Sequence, residues 1–149
     1  MNNNNDVSFI IDELNVKFNF RVAGLIKEGE KTFLQKNTKE NFYYPLGGRV
    51  KYLEHSKDAL IREIKEEVNI DINRDDVNFL DIIENFFTFN NVKYHELLFV
   101  YEIKTPKELI NRNNFTSIDK EIEFNTWVDL KEIKDLDLRP TELKKYLLS

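Results

Sequence analysis

Alternation of apolar and polar positions along the chain predicts several β-strands. Val77–Phe89 and Val92–Ile103 are predicted to pair as a long β-hairpin that turns at Asn90-Asn91. Residues 97–100 are apolar on both alternating faces, so we expect this strand to be covered on both sides. The pattern thus predicts a strand with a layer packed on each of its two faces.

A second hairpin is predicted at residues 17–36. Two β-rich runs flank Gly29 there, and glycine readily adopts the positive φ that a tight turn requires. Short strands are also predicted at residues 42–45, before Gly47-Gly48, and at residues 123–128.

Residues 56–69 have the periodicity of an amphipathic helix, with Ser56 as its predicted N-cap. The apolar face of this helix contains Leu60, Ile61, Ile64 and Val68. A helical turn is predicted at residues 130–135 and a last helix at 141–148. Strands with one central and one terminal helix indicate an α/β layered domain.

The chain length of 149 residues favours a single domain spanning residues 1–149. Residues 1–6 are expected to be a disordered tail, because Asn2 to Asn5 form a low-complexity run.

The polar side of the central helix concentrates negative charge. At 100° per residue, Glu63, Glu66 and Glu67 fall within an arc about 100° wide, which they share only with the small Ala59. Like charges at this spacing repel, and a divalent cation would reverse that energy. Carboxylates without a neighbouring cysteine favour Mg²⁺ or Mn²⁺ over zinc. On the helix alone, a solvated face paired with Arg62 is the commoner explanation.

The segment from residue 48 to residue 70 resembles the Nudix box in the order and spacing of its residues. The matching positions are Gly48, Glu54, Arg62, Glu63, Ile64, Glu66, Glu67 and Ile70. Asn69 replaces a glycine of the family pattern, which is a mild change because Asn is the next best residue for a left-handed C-cap. Leu46 also separates Pro45 from the glycine pair, which alters the loop and leaves the carboxylates in place.

The resemblance implies a MutT-like Nudix hydrolase with an α/β/α sandwich around a mixed β-sheet. Such an enzyme uses Mg²⁺ or Mn²⁺ to hydrolyse a nucleoside diphosphate linked to another group. The implied metal ligands are Glu63, Glu66, Glu67 and a backbone carbonyl at Gly47. The implied catalytic residues are Glu63, Arg62 and Glu54, of which the last two would hold the geometry of the carboxylates.

The general base stays open on the sequence. Glu63 is our first choice, and Glu121 and Glu123 are the candidates from a distant loop. Arg21 and Arg49 are candidates to contact the phosphates of the substrate. Aromatic candidates for stacking a nucleobase are Phe18, Phe20, Tyr43 and Tyr44, although aromatic residues on strands more often belong to the core.

Composition narrows the class of partner. The net charge of −5 argues against stable nucleic-acid binding, which needs a basic surface, and favours a small nucleotide substrate. The chain has no cysteine and no apolar run long enough for a membrane span, so we expect a cytoplasmic protein. A homodimer stays open. The alternative function is a Nudix-fold domain that binds a nucleotide or a protein without hydrolysis, but the intact box glutamates favour an enzyme.

Overall fold

The computed structural model describes residues 5–112, 114–118 and 121–148. The strands are β1 Ser8–Ile11, β2 Val16–Leu25, β3 Lys27–Glu28, β4 Lys31–Asn37, β5 Phe42–Tyr44, β6 Leu46–Arg49, β7 Val77–Phe89, β8 Val92–Ile103, β9 Phe115–Thr116 and β10 Glu123–Asp129. The α-helices are α1 Ser56–Val68, α2 Lys107–Ile110 and α3 Lys144–Leu147, and short 3₁₀ turns lie at Asp12–Leu14, Arg74–Asp76, Leu130–Asp135 and Thr141–Leu143.

The strands form two sheets. The first has the order β1-β2-β8-β7, with β6 also paired to β2. It is mixed, because β2 runs parallel to β8 and the other pairs are antiparallel. The second sheet is antiparallel, with the order β3-β4-β10-β9 and β5 paired to β4.

Helical segments cover the two faces of the first sheet. On one face, Leu60 and Ile64 of α1 share a buried cluster with Val22 of β2. On the other face, Val100 of β8 shares a second cluster with Leu147 of α3. The predicted α/β sandwich with a mixed sheet is therefore present, with a second sheet beside it.

The long hairpin forms with the predicted strands and turn. Asn90 and Asn91 both have left-handed backbone conformations, with φ of 50° and 65°, which suits a two-residue hairpin turn. The strand covered on both faces, predicted at residues 97–100, is confirmed by β8, where Leu98 and Val100 are buried in the second cluster and Phe99 packs against the first.

The predicted hairpin at residues 17–36 is wrong in its pairing. The tight turn at Gly29 exists, but it joins only β3 and β4, while β2 pairs with β1, β6 and β8 of the other sheet. Val22 and Leu25 are almost completely buried, and Ile26, which separates β2 from β3, is fully buried. Such a strand needs layers on both faces, which a simple hairpin does not supply.

Helix α1 begins at Ser56 as predicted and ends at Val68, one residue earlier than predicted, but its N-cap residue differs from the prediction. Asn69 has a left-handed φ of 57° and donates its N–H to the carbonyl of Lys65. His55, not Ser56, is the N-cap residue, and the Ser56 hydroxyl lies 2.6 Å from the hydroxyl of Tyr101 on β8. The first turn of the helix is therefore attached to the sheet by a side-chain contact.

The packed part of the chain begins closer to the N-terminus than expected, because it already includes Asp6. Of the tail predicted at residues 1–6, residues 1–4 lie outside the described part of the chain. Asp6 is buried, forms an antiparallel bridge with Lys51 and makes an ion pair with Arg49 at 3.4 Å. None of the helices in residues 5–112, 114–118 and 121–148 is both long and apolar enough to span a membrane.

Candidate active site

A cleft of about 1070 Å³ opens between the two sheets. Its lining includes Arg21 of β2, Gly47 and Arg49 of β6, and Glu67 of α1. The second sheet contributes Glu123 of β10. The cleft thus brings together box residues, both predicted phosphate-binding arginines and one of the two distant acids.

The three glutamates of the predicted arc have very different environments. Glu67 is buried, with 1% of its surface exposed, and it is the member that reaches the cleft. The Glu66 side chain is 45% exposed, and Glu63 lies between these extremes at 15%. The arc therefore crosses the border of the helix–sheet interface instead of facing one solvent region.

Gly47 and Gly48, which lie in strand β6 and not in a loop as the sequence analysis assumed, are both required at their positions. A Cβ at Gly47 would lie 2.0 Å from the carbonyl oxygen of Val22. A Cβ at Gly48 would lie 2.2 Å from Oε2 of Glu63. The backbone of β6 consequently lies directly against the Glu63 carboxylate, which any side chain at residue 48 would displace.

Arg62 joins the acidic residues. Its Nε and Nη2 donate to the Glu54 carboxylate at 2.9 and 3.0 Å, a bidentate pair. Its Nη1 contacts Glu63 at 3.3 Å and Glu66 at 3.2 Å, and Nη2 also donates to the backbone carbonyl of Arg49 at 3.0 Å. The hydrogen bonds with Glu54 raise the pKa of the Arg62 guanidinium further above its high usual value.

Glu54 connects this cluster to the loop before α1. Its Oε1 accepts a hydrogen bond from the backbone N–H of Lys51 at 3.0 Å. Burial alone would raise the pKa of the Glu54 carboxyl, but the hydrogen bonds from Arg62 and from Lys51 outweigh it and hold the pKa below its usual value. Glu54 is therefore a charged anchor between the loop and the helix.

A buried polar network, which the sequence analysis missed, lies behind Glu67. Gln35 of β4 donates from Nε2 to Glu123 at 3.0 Å and lies 3.5 Å from Oε1 of Glu67. Glu123 also accepts hydrogen bonds from the hydroxyls of Ser117 at 2.6 Å and Tyr44 at 2.7 Å. The only sequence signal was the occurrence of polar residues at inward positions of two strands, β4 and β10.

The two loop candidates for the general base differ sharply. Glu123 is 2% exposed and surrounded by hydrogen-bond donors, whereas Glu121 is exposed on the turn before β10. Burial raises the pKa of the Tyr44 hydroxyl, and the hydrogen bond to Glu123 raises it further, so Tyr44 remains a donor to that carboxylate. Glu123 is therefore a buried hydrogen-bond acceptor within the network, and Glu121 has no described contact with the cleft.

Three cationic side chains lie on one face of the first sheet, with Lys17 two rows, about 14 Å, from Arg21. Arg21 pairs in register with Arg49, and Lys17 lies on the same face of β2. Burial lowers the pKa of the Lys17 ammonium, and the positive charge of Arg49 lowers it further. The guanidinium of Arg21 makes no hydrogen bond or ion pair to another side chain in the part of the chain that the structure describes. The cluster suits an anionic ligand.

Of the aromatic candidates for base stacking, Tyr44 lines the cleft. Tyr43 packs against the second core cluster. Phe18 and Phe20 alternate with Lys17 and Arg21 along β2, so they lie on the opposite face of the sheet. Phe18 and Phe20 therefore cannot stack a base bound in the cleft.

Within the described ranges, no three acidic or histidine side chains converge in a ready-made cation site. Arg62 holds Glu63 and Glu66, and Glu67 is oriented towards Gln35. The donor set nevertheless suits a hard cation, since it consists of carboxylates beside the backbone of β6, which approaches Glu63 closely because residue 48 is glycine. The roles of these residues as metal ligands stay predictions.

Comparison with known proteins identifies the family to which the chain belongs. The NUDIX domain family matches residues 17–147, and the chain therefore belongs to this family, as the motif predicted. The mRNA-decapping protein D10 of fowlpox virus (strain NVSL) is 31% identical over 112 residues, which are 69% of this chain and 45% of that protein. The chain thus spans less than half the length of this relative.

Solved structures agree with the fold. The MutT NUDIX hydrolase of Burkholderia pseudomallei matches with a TM-score of 0.62 and 20% identity, over 88% of this chain and 95% of that one. The mutator MutT protein of Bacillus halodurans matches with a TM-score of 0.64 and 11% identity, over 88% and 80%. The predicted MutT-like Nudix fold is confirmed.

Proposed function

We propose that this chain is a hydrolase of phosphoanhydride bonds that acts, with a divalent cation, on a nucleoside diphosphate linked to another group. The observation that carries the proposal is the position of Glu67, a buried box carboxylate that reaches the same cleft as Arg21, Arg49 and Gly47. An acidic and a cationic group at one cleft are the two elements that phosphoryl transfer requires of a protein.

Glu63, Glu66, Glu67 and the backbone carbonyl of Gly47 are the proposed ligands of Mg²⁺ or Mn²⁺. These oxygen donors match the preference of both ions, and the missing Cβ at Gly48 leaves space for the Glu63 carboxylate. When bound, the cation supplies neutralisation of the diphosphate charge and activation of the attacking water.

The other residues act on the substrate or on the ligands. Arg21 and Arg49 bind phosphate oxygens and compensate their negative charge. Arg62 holds the carboxylates of Glu54 and Glu63 in place, so the acidic groups keep their positions when substrate enters. Glu63 is the proposed general base, which takes a proton from the attacking water at its carboxylate.

A capped RNA end is a second candidate substrate. It is suggested by the 31% identity to the fowlpox virus mRNA-decapping protein. The net charge of −5 favours a small nucleotide instead, because binding to an RNA backbone depends on a basic surface. The two substrates differ in salt dependence, since a contact with many phosphates weakens steeply as salt increases.

A substrate panel tests the proposal. The purified chain is incubated with nucleoside diphosphate derivatives and with capped RNA, in Mg²⁺, in Mn²⁺ and in EDTA, and the released phosphate products are identified. We expect cleavage of a diphosphate bridge that stops in EDTA. Nucleotide binding without cleavage of any substrate in either metal would instead identify a non-hydrolytic binding domain.

A further inference from the structure

Beyond the phosphate end of the cleft, polar and aromatic side chains follow one another along the same sheet face. In register, Arg21 pairs with Leu98, Asn19 with Glu96, and Lys17 with Tyr94. Successive rows on one face of a strand are about 7 Å apart. Among the residues that line the cleft, Arg21 is followed by Asn19 and Glu96 and then by Tyr94, while Lys17 of the third row does not belong to the lining. The lining thus changes from cationic to polar to aromatic, in the order in which a nucleoside diphosphate carries phosphates, ribose and base.

The polar row contains an oriented carboxylate. Glu96 is 8% exposed and Asn19 is 1% exposed, and both line the cleft. Asn19 donates from Nδ2 to Oε2 of Glu96 at 2.8 Å, and its Oδ1 accepts the hydroxyl of Ser8 at 2.7 Å. These two contacts fix the orientation of the Asn19 amide, with its oxygen towards Ser8 and its nitrogen towards Glu96.

The second carboxylate oxygen of Glu96 has no hydrogen-bond donor among the described residues. Every fully buried polar side-chain atom in the described ranges does have a partner. Oε1 of Glu96 therefore keeps some contact with solvent, and Glu96 is a residue of the cleft lining. A carboxylate in such a position accepts hydrogen bonds from a bound ligand.

The aromatic row contains Phe87 of β7 and Tyr94 of β8, both of which line the cleft. Their rings stack with centroids 4.7 Å apart and planes 4° apart, and Phe87 remains 41% exposed. A planar ring that enters the cleft can extend this stack. Stacking on aromatic side chains is the usual way in which proteins hold a nucleobase without selecting its identity.

We propose that Glu96 and the Phe87–Tyr94 pair form a ribonucleoside subsite, in which Oε1 of Glu96 accepts hydrogen bonds from the vicinal 2′- and 3′-hydroxyls of the ribose and the ring pair stacks the base. A carboxylate on the ribose hydroxyls is a known solution for nucleotide recognition. This proposal rests on the proposed function, since it assigns the sugar and base of the same nucleotide.

Binding of non-hydrolysable ligands separates the subsite from the phosphate end. The probes are α,β-methylene-ADP, its 2′,3′-dideoxy form and methylenediphosphonate, titrated calorimetrically in Mg²⁺. We expect the wild type to bind the ribonucleotide at least about tenfold more tightly than the dideoxy form, the range for hydrogen bonds to a charged group. Equal affinities for these two ligands would overturn the proposal without any variant.

Two variants test which residues cause the preference for ribose and the binding of the base. Glu96→Gln should remove the preference for ribose and leave methylenediphosphonate binding unchanged, with Glu102→Gln, an exposed acid on the same strand, as its control. Tyr94→Leu should weaken both nucleoside ligands about equally, with Phe79→Leu of β7 as its control. If Glu96→Gln weakened all three probes alike, Glu96 would act on the phosphate end or on the fold, and the ribose assignment would be wrong.

Hydrolysis is measured separately, so the two proposals fail separately. A chain that discriminates ribose but cleaves no diphosphate would contradict the proposed function and retain the subsite. A hydrolase that is indifferent to the ribose hydroxyls would retain the function and eliminate the subsite.

Discussion

Arg62→Lys tests whether one guanidinium organises the acidic residues. Arg62 makes a bidentate pair with Glu54 and donates to the carbonyl of Arg49, and its side chain is only 23% exposed. A lysine ammonium cannot reproduce the planar fork. Hydrogen bonds to charged groups contribute about 1.5–3 kcal/mol each when buried, and partial exposure reduces this. We expect a total loss of about 2 kcal/mol, or ~4–8 °C in Tm for a domain of this size.

Arg74→Lys is the matched control, because Arg74 pairs with Asp58 near the start of α1 at 2.8 Å but is 55% exposed. Because solvent screens this exposed pair, its loss should lower stability far less than Arg62→Lys does. Tm is measured by differential scanning calorimetry and kcat with the substrate found in the panel, and Arg62→Lys should also lower kcat at least about tenfold. Equal Tm and kcat changes in Arg62→Lys and Arg74→Lys would refute the organising role.

Three further predictions concern the binding of Mg²⁺, the pH dependence of stability that Glu54 causes, and the hydrogen-bond network around Glu123. Mg²⁺ at ten times its Kd should stabilise the chain by about 1.4 kcal/mol, a rise of a few degrees in Tm; equal shifts in wild type and Glu63→Gln/Glu66→Gln would place the cation elsewhere. Because the folded pKa of Glu54 lies below its unfolded value, its contribution to stability is present above the unfolded pKa and lost as pH falls through the folded pKa. Thermal melts from about pH 5 to about pH 3 should therefore fall more steeply for wild type than for Glu54→Gln. Tyr44→Phe removes one donor to buried Glu123 and should cost about 2 kcal/mol in urea unfolding, and an unchanged midpoint would contradict the network.

Local patterns carried much of the fold. The hairpin of β7 and β8 and the left-handed end of α1 were predictable, because each depends on residues close in sequence. The pairing of β2 was not predictable from its own residues. Its parallel partner β8 lies across the whole of α1 and β7, and the turn at Gly29 suggested a nearer partner.

In the candidate active site, too, the features that depend on residues close in sequence were predictable and those that depend on distant residues were not. The box residues were found from their spacing within one loop and one helix. The network of Gln35, Glu123 and Ser117 was not found, because it joins side chains that lie far apart in sequence. The unequal burial of Glu63, Glu66 and Glu67 also escaped the helical projection, since that projection places directions on a helix and does not include the sheet against which α1 packs.

The most direct test of the central claim is kcat measured across a Mg²⁺ titration for wild type, Glu67→Gln and the surface control Glu102→Gln. Glu67 is buried at the cleft, so loss of its charge should remove a ligand that stabilises the transition state. We predict a fall of at least about a hundredfold in kcat for Glu67→Gln at saturating Mg²⁺, with Glu102→Gln unchanged and no loss of Tm in EDTA. A near-normal kcat in Glu67→Gln, or a large loss of its Tm in EDTA, would show that Glu67 is a structural residue and that the proposed cation site is wrong.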